Sequence, residues 1–250
     1  GRSSPFPPSR SSCNRMGFRS VLIALVLLAL VGGAGYPPTA GGAPPAEAII
    51  ALDKYTTEKG RTLAATFAPQ LRQIHNRVYH CRPWLDVRKG SLGFTRPVGL
   101  PGDDRYLNIW VWVEQEITPE FAGLGSAARR ASAMFSRHGV DLLRQLAADA
   151  GILAHPVVHG YSVILEWIKP TGRVGNEETA ETLGVFADKS TVQAFLARQI
   201  SAAEFVEKAT IVAFDGRERL GRLPLEVWED DFATTFKPKD YEPQDKSVGC

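Results

Sequence analysis

Helix-type and strand-type hydrophobic patterns alternate three times between residues 51 and 235, and this rhythm restricts the chain to a layered fold. The first helical pattern spaces its apolar residues at steps of four, three, four and three, which puts them on one face: Phe67, Leu71, Ile74, Val78 and Cys81. Pro69 predicts a break or kink near the start of this pattern. We therefore predict an α/β (or α+β) fold, a layered sandwich of a mixed β-sheet with helices in roughly three helix–strand units.

Two segments carry the strand pattern most clearly. Residues 106–113 are apolar on both alternating faces, which predicts a central strand that is covered on both sides. Residues 161–168 predict a second strand, which should end before Pro170. Asp215 and Gly216 form a tight-turn signal, so at least one pair of strands should be antiparallel.

Capping and loop signals mark the remaining elements. Ser126 is placed to cap a helix that runs to about residue 150, in which Gly139 is the weak point. Ser201 and Glu204 have the spacing of a capping box, and residues 223–228 predict a last strand at the sheet edge. The loop before the third unit is predicted to hold a group of acids: Glu177, Glu178 and Glu181.

An apolar run of 11 residues, Val21–Val31, predicts where the protein works. Basic residues precede it and small residues follow it, as in a secretory signal peptide, and it is shorter than the roughly 20 residues that a membrane-spanning helix needs. We expect cleavage after Ala34 and export to the periplasm or the extracellular space. The alternative is an uncleaved segment, residues 21–34, that tethers the domain to the membrane.

The sequence divides into four parts: a leader at 1–35, a Pro/Gly/Ala linker at 36–50, one globular domain at 51–235 and a flexible polar tail at 236–250. Four of the 29 basic residues and none of the 27 acidic residues lie in residues 1–34, so the remainder of the chain is slightly acidic. A nucleic-acid-binding domain is expected to keep a basic patch. The composition therefore argues against nucleic acid as a partner.

Cysteine is scarce in the predicted domain and tail. Cys81 lies in the first helical pattern, and Cys250 ends the polar tail. The two could pair only if the tail folded back, so we favour Cys81 as a small buried apolar side chain. The domain is then expected to be stabilised by its core, for which its length suffices.

Three histidines form a candidate metal site. His80 ends the first helix, and His155 and His159 lie in the loop before the second strand. If the helix end and the loop meet, the three imidazoles could hold a zinc ion, with an acidic residue or water as the fourth ligand. Pro156 prevents a regular helix between the last two histidines, so the spacing is not diagnostic. We expect no cofactor, with zinc as the alternative.

Aromatic residues form a second candidate site. Trp110, Trp112 and Trp167 could line one face of the sheet, either as core beneath helices or, with the nearby Glu166, as a ligand or partner surface. Carboxylates at neighbouring strand ends could also supply the pair that glycosidases use: Glu114, Glu116 and Glu166. A plain polar strand end is the simpler interpretation of these acids.

No motif identifies a reaction, so the sequence favours a binding role. We expect an exported, non-catalytic binding or interaction protein of the cell envelope or the extracellular space, with a small ligand or an envelope protein as its partner. The alternative is an exported hydrolase that is zinc-assisted through His80, His155 and His159. The two hypotheses differ in whether these histidines converge on a common point.

Overall fold

The computed structural model describes residues 44–97, 103–114, 119–174, 177–229 and 250. Its helices are α1 (Glu58–Thr66), α2 (Ala68–Cys81), α3 (Pro119–Ala122), α4 (Ala127–Met134), α5 (Val140–Leu146), α6 (Ala150–Ala154), α7 (Lys189–Leu196) and α8 (Ala202–Lys208). Its strands are β1 (Leu85–Val87), β2 (Gly93–Thr95), β3 (Arg105–Val113), β4 (Val158–Val174), β5 (Glu177–Asp188), β6 (Thr210–Asp215) and β7 (Glu218–Gly221). A π turn (Phe135–Gly139) joins α4 to α5, and 3₁₀ turns at Ala46–Ala48 and Leu52–Lys54 precede α1.

The strands of the described residues form one mixed sheet in the order β1-β3-β4-β5-β6-β7, and β2 also pairs with β3. Strands β3 and β4 are parallel, and all other pairings are antiparallel. The helices α3 to α6 lie between β3 and β4 in the chain and supply the crossover that a parallel pair requires. The predicted layered α/β fold with a mixed sheet is therefore confirmed. So is the antiparallel hairpin, in which Gly216 has a φ of 56° between β6 and β7.

The two faces of the sheet differ in burial. The first, which we call the helical face, is fully buried: Leu107, Ile109, Val111, Val163, Leu165, Trp167, Leu183 and Val185. The side chains that alternate with these form the open face, which is buried at one end, at Tyr106, Asn108 and Ser162. The rest of this face is half-buried or exposed: Trp110, Trp112, Ile164, Glu166, Phe186 and Val212. The prediction that residues 106–113 are covered on both sides is wrong for Trp110. This residue is 37% exposed because its side chain lies on the open face.

Local signals in the sequence set most helix ends as predicted. Pro69 lies in the first turn of α2, directly after the break that ends α1. The Ser126 hydroxyl caps α4, and both hydrogen bonds of the Ser201–Glu204 capping box are present. The helix expected to run to residue 150 is instead interrupted by the π turn. Gly139 is needed there, because a Cβ atom at this position would lie 2.2 Å from the Phe135 ring.

Strand ends were harder to predict from local signals. Strand β4 continues past Pro170, which lies within the irregular stretch between Ile168 and Arg173 where the ladder with β5 is interrupted. The acids assigned to a loop belong to β5, where Glu181 is only 2% exposed. Residues 223–228 form no strand. The backbone N–H groups of Glu226 and Trp228 instead donate to the hydroxyls of Ser132 and Ser136 in the helical layer.

The folded unit begins earlier than the predicted linker boundary. Ala48 is buried in the core, and Ile49 forms a bridge with Leu92, so the end of the segment 36–50 belongs to the domain. The predicted leader lies outside the described residues, as does the tail apart from Cys250. Among the residues described, no helix is both long enough and apolar enough to span a membrane.

Cys81 and Cys250 are joined by a disulfide, with their Cα atoms 5.5 Å apart. The prediction that Cys81 is an unpaired apolar side chain is therefore wrong, although the residue is buried as expected. The two cysteines are 169 residues apart, and periodicity carries no information on such a distant approach. The end of α2 and the C-terminal residue meet only in the tertiary structure.

Candidate ligand cleft

A cleft of about 1130 Å³ lies between the first residues of the domain and the helices α1 and α2. Its apolar lining comes from both sides: Ile49, Ile50, Leu52, Ala64, Ala68 and Leu71. Small-molecule sites are concave, mostly apolar and of comparable or somewhat smaller volume. We call this feature the N-terminal cleft.

Backbone pairing and helix periodicity position its two walls. The N–H of Ile50 donates to the carbonyl of Leu92 at 2.9 Å, which fixes the N-terminal segment beside β2. On α2, Ala68, Arg72 and Asn76 recur at intervals of four and therefore share one side of the helix. Alanines at positions 64 and 68 carry only a Cβ, so the space between the walls stays open.

His75 is the most deeply buried polar residue that lines the cleft. It is 3% exposed, and within the described part of the chain neither ring nitrogen has a hydrogen-bond partner. Burial lowers the pKa of His75, and the nearby Asp86 carboxylate offsets part of this effect. The imidazole is therefore neutral at pH 7, with one N–H donor and one acceptor nitrogen available to a ligand. Its ring packs edge-on against Tyr79, at 6.4 Å between centroids.

The charged residues of the cleft are mainly cationic. Lys89 is paired with Glu47 at 2.9 Å, and exposed Lys54 lies 3.9 Å from Asp53. Arg72 is exposed and makes no ion pair with any residue in the described ranges. A negatively charged group in the cleft would therefore find an uncommitted guanidinium.

The three histidines of the candidate zinc site do not come together. The ring of His155 packs against Phe67 at the start of α2, at 5.4 Å between centroids, whereas His80 lies near the other end of that helix. Thirteen residues of helix separate Phe67 from His80, a distance of about 20 Å. His159 contacts Asp104 at 3.2 Å instead. No group of three potential ligands able to hold a metal ion occurs among the residues described.

The candidate aromatic surface is divided between the two faces of the sheet. Trp110 and Trp112 pair with Ile164 and Glu166, so these side chains share the open face. Trp167 follows Glu166 in the strand and therefore points to the helical face, where it is 1% exposed. In the register between β3 and β4, Trp110 and Trp112 lie opposite Ile164 and Glu166, so Trp167 is on the other face.

Arg88 occupies the polar part of the open face. Its guanidinium bonds Glu166 at 2.8 Å and lies over the Trp112 ring, 4.9 Å from the centroid. Glu116, one partner of the suggested carboxylate pair, lies outside the described residues. Glu166 is thus engaged in an ion pair, and Trp110 is the accessible aromatic residue of the surface.

The sequence patterns did not reveal the cleft. A usable signal was present, because Ala68, Arg72 and His75 combine small and polar residues at helical spacing. The opposite wall comes from the segment interpreted as linker. No protein-family model, curated protein or solved structure matches this chain.

Proposed function

We propose that this protein is an exported, non-catalytic binding protein of the cell envelope or the extracellular space, and that its small ligand occupies the N-terminal cleft. The cleft carries the proposal, since it combines ligand-sized volume, apolar walls and a buried polar side chain without a partner. The open face is the second candidate surface, but its charged groups are already paired. The zinc-assisted hydrolase loses its support because its three histidines are dispersed.

A neutral dye that fluoresces in apolar surroundings, N-phenylnaphthylamine, tests the cleft directly. The chain, expressed with its own leader and purified, should bind the dye. Ala68→Phe should abolish this binding, because a phenyl ring at position 68 fills the space between the walls. Ala65→Phe is the matched control, since Ala65 is exposed on α1 and does not line the cleft. Equal dye binding by the two variants would contradict the proposal.

Two observations support export. The sequence before the domain has the three parts of a signal peptide, and the Cys81–Cys250 disulfide is of the kind that persists in oxidising compartments. Cell fractionation should find the protein outside the cytoplasm with Cys81 protected from alkylation. Leu25→Arg together with Leu28→Arg breaks the apolar run, so it should retain the chain inside with reactive thiols. Cytoplasmic location of the unaltered chain would refute this part of the proposal.

A further inference from the structure

We propose that the N-terminal cleft takes an amphipathic ligand with an aliphatic body and one anionic head group, a carboxylate or a phosphate, bound at Arg72 and His75. This inference rests on the proposed function and adds the chemical class of the ligand.

The walls determine the body of the ligand. Their apolar side chains are all aliphatic, and no Phe, Tyr or Trp occurs among the described residues that line the cleft. Leu52 stands 48% exposed at the cleft, a large apolar side chain that a bound aliphatic chain would cover. Burial of each methylene of a ligand here should raise the affinity about fourfold, so a flexible alkyl chain gains affinity along the length of the cleft.

The charges determine the head group. Lys89 is neutralised by Glu47, whereas Arg72 has no acidic partner in the described part of the chain. Its guanidinium can bond two oxygens of a carboxylate or phosphate at once, an arrangement that an alcohol cannot offer. A cationic head group would instead meet Arg72 and Lys54 as like charges.

His75 gives the second, independent indication of a ligand. It lies three residues after Arg72 and therefore on the same side of α2, and it is almost completely removed from solvent. None of the described residues bonds its ring nitrogens, so a ligand oxygen next to the N–H would supply a hydrogen-bond partner from within the cleft. The neutral ring adds a hydrogen bond without a second positive charge, which suits a head group carrying a single anionic centre.

Displacement of N-phenylnaphthylamine from the purified full chain by four compounds of equal chain length tests the inference. The compounds are dodecanoate, dodecyl phosphate, dodecanol and dodecyltrimethylammonium, each below its micelle concentration. The dissociation constant of at least one anion, obtained from this competition, should be about tenfold lower than that of dodecanol. One charge-assisted hydrogen bond accounts for a difference of this size. The ratio between the two anions distinguishes a carboxylate ligand from a phosphate ligand. The cationic compound should be the weakest.

Arg72→Gln should remove most of the preference for the anion and leave dodecanol unaffected. Arg77→Gln is the matched control, because Arg77 lies on the same helix and does not line the cleft. Equal affinity for the alcohol and both anions, or an unchanged preference in Arg72→Gln, overturns the inference while the cleft remains a binding site. If Ala68→Phe and Ala65→Phe bind the dye equally and no compound displaces it, the proposed function fails as well.

Discussion

Each face of the sheet carries a cluster of one arginine, one glutamate and one tryptophan, and the two clusters differ in burial. On the helical face, Arg130 of α4 donates to Glu181 at 2.7 Å, and the indole N–H of Trp167 donates to the same carboxylate at 2.9 Å. On the open face, Arg88 bonds Glu166 and covers the Trp112 ring. All three members of the first cluster are buried, whereas those of the second are partly exposed.

The comparison shows that residue type does not determine what such a cluster does. A buried charge that loses its partner remains in a medium that solvates it poorly, whereas an exposed charge is solvated by water. The buried cluster therefore ties α4 to the middle of the sheet. The exposed cluster contributes little to stability, because water can solvate either charge when the pair is broken.

The largest effect is expected from Glu181→Gln. The amide keeps the shape of the side chain but removes the carboxylate that the buried Arg130 guanidinium bonds, and leaves only the more distant charge of Asp215, so the free energy of unfolding should fall by about 3–5 kcal/mol. Urea denaturation followed by circular dichroism measures the change. A loss below about 1 kcal/mol, as expected for a surface pair, would remove the distinction between the two faces.

Loss of the disulfide should come next. Cys250→Ser releases the end of α2 from the C-terminus and should lower the free energy of unfolding by about 2–5 kcal/mol, because the bond closes a loop of 169 residues in the unfolded chain. Reducing agent should destabilise the unaltered protein to the same extent and leave the variant unchanged. If the reducing agent also destabilised Cys250→Ser, its effect on the unaltered protein could not be assigned to the Cys81–Cys250 disulfide.

Gly139→Ala tests how tightly the helical layer is packed over the sheet. Helix propensity alone predicts a gain of about 1 kcal/mol, but the new methyl group collides with the Phe135 ring, so we expect a net loss of about 1–3 kcal/mol. In a Phe135→Leu background the same change should cost less. Stabilisation by Gly139→Ala in the unaltered background would contradict the close contact seen in the π turn.

The helical layer should also respond to acid. Burial lowers the pKa of His138 to about 3, and the charges of Arg137 and Arg82 act in the same direction. Below pH 6.5 the unfolded chain takes up a proton that the folded chain excludes, so stability should fall by about 1 kcal/mol or slightly more per pH unit between pH 6.5 and pH 3. No such contribution is expected above pH 6.5.

Chemical denaturation between pH 7 and pH 5 measures this slope. His138→Gln cannot take up the proton and should reduce the slope to the part that His75 contributes, since burial lowers the pKa of that residue as well. His159→Gln, at an exposed position, should leave the slope unchanged. Parallel slopes for the unaltered protein and His138→Gln would show that His138 does not cause the acid sensitivity.

The smallest effect is expected on the open face. Glu166→Gln breaks the pair with Arg88 but leaves both groups near water, so the free energy of unfolding should change by less than about 1 kcal/mol. The same urea denaturation provides the measurement, and this variant is the control for Glu181→Gln. A loss similar to that of Glu181→Gln would show that the open face is covered in solution.

Features set by neighbouring residues could be predicted from the sequence. The break at Pro69, the caps at Ser126 and Ser201 and the turn at Gly216 all depend on contacts within a few positions. The candidate sites depended on contacts between distant segments and were predicted less well. His80 lies near one end of α2 and His155 packs beside the other end. One wall of the cleft includes Ile49 and Ile50, which belong to the segment interpreted as linker.

By itself, the sequence determined the layered class of the fold and several helix caps and turns, because side-chain period and turn chemistry are local properties. The tertiary structure alone decided which face each strand residue joined, since a shift of one residue in register exchanges the two faces. It therefore separated Trp167 from Trp110 and Trp112, buried Glu181, and joined Cys81 to Cys250. It also formed the cleft, because two chain segments enclose a space only when both are held in place.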